Sequence, residues 1–81
     1  MTGNQLRAAR ALAGIEQSEL AVAAGISVNT VRNMEGVGSK TVRVRLDTLT
    51  KVRSALEAAG VVFLDPNGNG PGVALRKAAS G

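Results

Sequence analysis

Apolar residues recur every three or four positions through most of this chain, and the phase of that recurrence resets at residues 14, 25 and 36–44 before contiguous apolar runs take over. Leu6, Ala9, Leu12 and Ala13 form the first stripe, preceded by Thr2 and Gln5 at capping-box spacing and closed by Gly14. Leu20, Ala21 and Ala24 form the second, which Gly25 stops. Val31 and Met34, with Thr30 flanking, form the inward stripe of a third helix. Its N-cap oxygen comes from Ser27, behind the apolar anchor Ile26. Leu46, Leu49, Val52 and Leu56, with Ala59 extending the row, predict a fourth helix over 44–59 closed by Gly60.

Beyond residue 60 the grammar changes. Val61, Val62, Phe63 and Leu64 are contiguous and β-branched, aromatic or aliphatic, and residues 65–72 are dense in turn-forming Asp, Pro, Asn and Gly. Val73, Ala74, Leu75 and Arg76 then return as a second strand, giving a β-hairpin over 61–77 and a frayed tail over 78–81. The alternative is a short helix over 73–79 with the glycine-rich run as a linker. A lone two-stranded hairpin is marginal in water, so it is expected to pack on the helices or to join its copy across a dimer axis. The glycine run is not a phosphate cradle: it lacks the Lys-Ser ending, and Pro71 removes an amide such a cradle needs.

Only Gly25, Ile26 and Ser27 separate the second and third helices, which must therefore cross steeply. The third helix then stands proud, with Val28, Asn29, Arg32 and Asn33 pointing outward or along its edge. In a DNA major groove these side chains have matching partners. An asparagine fork fits adenine N6 and N7, arginine fits guanine O6 and N7 or a phosphate, and a valine methyl rests on a thymine methyl. On an isolated short helix the same polar residues are ordinarily just solvated.

The ordered set of apolar, glycine and cap positions resembles the Cro and phage-repressor (XRE, lambda-repressor-like) helix-turn-helix family. The matching residues are Gln5, Leu6, Arg7, Ala8, Ala9 and Arg10 in the first helix, and Gln17, Glu19, Leu20 and Ala21 in the second. Ala24, Gly25, Ile26 and Ser27 match at the turn, and Thr30, Val31, Met34, Glu35 and Gly36 in the third helix. The resemblance covers residues 6–60 and implies a mainly α, four-helix lambda-repressor-like DNA-binding domain over 1–60, here with a C-terminal β-hairpin. It also implies base reading by Val28, Asn29 and Asn33, which Arg32 joins by its outward helical phase. Phosphates would be held by Gln17, Ser27, Thr30, Lys40, Arg43 and Arg45, and a structural ion pair would join Arg10 to Glu35. Three departures stand out: Glu16 replaces the usual Ser or Thr cap, Val28 replaces a polar or basic reader, and Val22 and Ala23 replace charged residues on the second helix.

Composition narrows the function further. The 81 residues contain one aromatic, Phe63, so the core is aliphatic and small, and dimerisation is the expected source of extra support. The absence of cysteine and histidine excludes thiol chemistry, His-based acid–base catalysis and zinc fingers. Asp47 and Glu57 are spaced too far apart to converge, so no enzyme, cofactor or metal is expected. The net charge is +4, and Lys40, Arg43, Arg45, Lys51 and Arg53 follow the reading helix with Asp47 as the opposing charge among them. In the family this region tracks the DNA backbone. The loop over 36–44 is longer than in many relatives, so Lys40 and Arg43 are expected to reach further along the strand. The start has no signal-peptide core and no run approaches a membrane span, giving a cytoplasmic expectation.

The resulting expectation is a sequence-specific regulator of transcription that binds double-stranded DNA as a homodimer on an inverted repeat, as a repressor would. The competing expectation is a protein-interaction module on the same scaffold, an antitoxin or antiactivator, for which Val22, Ala23 and Val28 speak.

Overall fold

The Thr2 hydroxyl accepts the Gln5 N–H at 3.0 Å and the Gln5 side-chain oxygen accepts the Thr2 N–H at 3.3 Å, so the first helix starts on a reciprocal cap. The computed structural model describes residues 1–64 and 72–75. In chain order these form α1 (Gly3–Ala13), α2 (Gln17–Ala24), α3 (Val28–Gly36), α4 (Leu46–Ala58), β1 (Val61–Leu64) and β2 (Gly72–Leu75). The architecture is mainly helical with one small antiparallel hairpin. Gly14 and Gly25 end α1 and α2 with φ of 70° and 68°, a left-handed conformation that side chains with a Cβ resist.

Helix α2 packs on α3 and α4, and α1 closes the other side of α3. Leu6, Leu20, Val31, Met34, Val52 and Leu56 form the buried centre. The stripes on α1 and α4 are narrower than expected. Leu12 is 39% exposed and Leu46 78% exposed. Each sits six positions from a buried residue, Leu6 and Val52 respectively, which places it roughly 120° round the helix from the core face. Ala59 is also exposed, lying past the end of a helix that begins at Leu46 rather than at residue 44.

The hairpin joins this core. Val61 pairs with Leu75 and Phe63 with Val73 across the ladder, and Val61, Phe63 and Val73 all pack against the helical cluster. Strand β1 lies against α4 and α1, and β2 against α1. The Gln5 amide, besides capping α1, donates to the Gly72 carbonyl at 3.1 Å. Of the two placements open to the hairpin, packing on the helices is therefore present within one chain. The turn expected over 65–71, the end of the expected hairpin at 76–77 and the fraying expected over 78–81 lie outside the described residues.

The loop after α3 is tied to the start of α1. Asn4 N–H donates to the Gly38 carbonyl at 2.9 Å, Gly3 N–H to Lys40 at 3.3 Å, and Val42 N–H to Met1 at 2.8 Å. An isolated bridge pairs Thr2 with Thr41, and Val42 is buried. Gly3 is the point of closest approach. A Cβ built there would lie 2.7 Å from the carbonyl oxygens of both Met34 and Glu35 and 2.8 Å from the Gly38 nitrogen.

Candidate nucleic-acid interface

Ser27 starts α3 by accepting the Thr30 N–H on its hydroxyl at 3.2 Å, and the two hydroxyls lie 2.9 Å apart. Ile26 N–H reaches back to the Ala21 carbonyl at 3.0 Å, locking the turn between α2 and α3. With Val31, Met34 and Glu35 buried, the face carrying Asn29, Arg32 and Asn33 is exposed. Arg32 Nη1 donates to Asn29 Oδ1 at 3.3 Å, so these two side chains meet one turn apart. Val28 does not belong to that outward set. It is half-buried and packs against the core at the start of α3.

Beneath the exposed face lies a polar hub around Glu35, a carboxylate only 2% exposed. Arg10 Nε and Nη2 donate to its two oxygens at 2.7 and 3.2 Å, and Arg10 Nη1 donates to the Ile15 carbonyl at 3.0 Å. Gln17 Nε2 donates to Glu35 Oε1 at 3.2 Å, and Arg7 Nε stands 3.6 Å from the same oxygen. Burial pushes the Glu35 carboxyl upward. The hydrogen bond and charge of Arg10, then Gln17 and Arg7, outweigh that and hold it below the usual carboxylate range. The Arg10 guanidinium is raised, chiefly by its hydrogen bond to Glu35. The hub thus joins α1, the start of α2 and the end of α3.

The expected phosphate contacts fall into different situations. Gln17 is half-buried and has one amide hydrogen committed to Glu35, which leaves the second for an outside acceptor. Ser27 is engaged as the cap of α3, and Thr30 is half-buried beside it. Lys40 and Arg43 are exposed and line a surface cleft of about 480 Å³ with Val37, Ser39 and Thr41. Arg45 pairs with Asp47 at 3.3 Å, which reduces its free charge. Arg53 also leaves the free basic set, because Glu57 stands 3.3 Å away and the guanidinium lies 5.2 Å from the centre of the Phe63 ring. The anchoring of residues 38–42 to α1 places Lys40 on a braced segment rather than on a free loop.

No family model and no curated protein matches this chain.

Two participants in the hub were not anticipated. Arg7 carried a readable signal, since it sits one turn before Arg10 on the same helix. Gln17 acting on Glu35 had none, because the two residues lie on different elements and a glutamine advertises no single partner. Among the described residues no helix is long and apolar enough to cross a membrane.

Proposed function

We propose that this protein is a sequence-specific double-stranded DNA-binding regulator of transcription on a lambda-repressor-like scaffold, acting as a homodimer on an inverted repeat. The observation that carries this reading is the exposed face of α3, where Asn29, Arg32 and Asn33 stand clear of the core, followed along the chain by the exposed cations Lys40 and Arg43. Amide and guanidinium forks supply the donors and acceptors that major-groove base edges demand, and the neighbouring cations supply the charge that phosphates demand. Two such helices related by a two-fold axis meet successive major grooves about 34 Å apart, hence half-sites one helical turn apart.

Arg32→Ala and Asn33→Ala are each expected to weaken binding to the best operator by about 1–3 kcal/mol, measured by electrophoretic shift at low salt. Unchanged affinity in both variants would overturn the assignment of α3 as the reading helix. Lys40→Ala or Arg43→Ala is expected to act differently, weakening all DNA sequences about equally. Each should lower the slope of log affinity against log salt by about one. A loss confined to the operator would contradict a phosphate role.

A second reading, an antitoxin or antiactivator that docks a partner protein, draws on Val22, 83% exposed on α2, and on the exposed Leu46. Affinity recovery with and without nuclease separates the two. A single stoichiometric protein partner, with no operator enriched from genomic DNA, would favour this second reading.

A further inference from the structure

Three donors converge on Glu35 Oε1, but only two of them bond to it. Arg10 Nη2 and Gln17 Nε2 each donate at 3.2 Å, while Arg7 Nε stands at 3.6 Å, outside hydrogen-bond range. Arg7 therefore faces the hub without being joined to it. Its side chain is 61% exposed and makes no hydrogen bond among the described residues, which leaves its donors open to an outside acceptor. Gln17 keeps the second hydrogen on its amide nitrogen. Because both side chains approach one oxygen, they are near enough for two oxygens of a single phosphate to meet both.

The charges around this point favour an anion only if Arg7 takes part. Arg10 is 18% exposed and has three of its donors committed, two to Glu35 and one to the Ile15 carbonyl. Its charge is answered by Glu35. Gln17 is neutral and stands between Glu16 and Glu19 at the start of α2, where Glu19 accepts the Glu16 N–H at 2.9 Å and neither carboxylate pairs with a cation among the described residues. Two carboxylates so placed repel a phosphate. Arg7 is the accessible cation that opposes them.

We propose that Arg7 and Gln17 together hold one phosphate of the DNA backbone, Arg7 supplying the charge and Gln17 a directed hydrogen bond. The proposal rests on the DNA-binding reading above and adds a contact from α1 to those expected from Lys40 and Arg43. Glu35 is the positioning residue of the pair. It fixes the Gln17 amide through Oε1 and attracts the Arg7 stem, yet Arg7 can turn to a phosphate without breaking a hydrogen bond, because Arg10 and Gln17 keep the buried carboxylate satisfied.

The test uses the duplex that the wild-type chain selects best from random DNA, remade with a neutral methylphosphonate at one backbone position at a time. Affinities for the wild-type chain, Arg7→Ala, Arg7→Lys and Gln17→Ala are measured across a salt series. On the unmodified duplex Arg7→Ala is expected to bind roughly tenfold more weakly and to lower the slope of log affinity against log salt by about one. Arg7→Lys should keep most of that slope. Neutralising one position in each half-site should cost the wild-type chain roughly tenfold and cost Arg7→Ala and Gln17→Ala clearly less at that same position. An unchanged slope in Arg7→Ala overturns the proposal, even where binding weakens in step with a lower urea midpoint, since that pattern marks a purely structural role in the hub. Sensitivity lost at different positions in the two alanine variants also overturns it, because the residues would then not share a phosphate. Both of these outcomes leave DNA binding intact. A wild-type chain that selects no sequence and binds no duplex at low salt overturns the DNA-binding reading and this proposal together.

Discussion

Arg10→Met is expected to destabilise the fold by about 3 kcal/mol, because it leaves the buried Glu35 carboxylate without both donors of its bidentate guanidinium partner. Gln17 and Arg7 still reach Glu35 Oε1, which keeps the effect from being larger, whereas Oε2 loses its Arg10 contact. The intact pair is not itself a large source of stability, since desolvating two charges offsets most of their attraction. The cost lies in breaking one side of it. Urea unfolding monitored by circular dichroism measures the change, and a shift below about 1 kcal/mol would contradict this account of the hub. Acid titration supplies an independent check. Because the folded-state value of Glu35 is depressed, the stability from this group is present above about pH 5 and is lost as the pH falls below about 4. In Arg10→Met burial is opposed only by the weaker partners, so the acid loss should begin at higher pH.

Gly3→Ala is expected to cost about 3 kcal/mol despite placing a better helix former in the first turn of α1. The added methyl meets backbone on every side, 2.7 Å from the carbonyl oxygens of Met34 and Glu35 and 2.8 Å from the Gly38 nitrogen, and backbone cannot rotate away as a long side chain can. Relief requires α1 to lift from the end of α3. That movement loosens the bond from Asn4 N–H to Gly38 and strains the Arg10–Glu35 contact. A second variant separates this clash from a general intolerance of alanine. Gly36→Ala, where a Cβ meets nothing within 4 Å, should leave the urea midpoint nearly unchanged. Equal midpoints for Gly3→Ala and the wild-type chain would show that α1 does not need this close approach.

The local features of the fold were legible because their causes lie within a few residues of each other. Thr2 and Gln5 cap one helix, Gly14 and Gly25 end two, and Ser27 starts α3 through bonds spanning three or four positions. The ends of the apolar stripes were not legible in the same way. Leu12 and Leu46 belong to the right helices but lie beyond the faces that neighbours cover, and only the packing sets where cover stops. Glu35 has no local mark of burial, and the resemblance, not the periodicity, paired it with Arg10. Gly3 was invisible, because what demands a glycine there is the end of α3 more than thirty positions away. On α3, the exposure of Asn29, Arg32 and Asn33 followed from helical phase. The packing of Val28 on the core and the contact of Arg32 with Asn29 depended on tertiary packing and on rotamers.

The stitching of residues 38–42 to the start of α1 has an entropic consequence. Fixing one residue of loose backbone costs about 1–2 kcal/mol, and a segment that ordered itself only on meeting an anion would pay that sum over its length. Here the hydrogen bonds from Gly3, Asn4 and Val42 have already met that cost during folding. In the proposed DNA-binding role, a phosphate arriving at Lys40 would have only a side chain to still. Water, salt and the cost of association would oppose the attraction between the two charges, but the disorder of a loop would not.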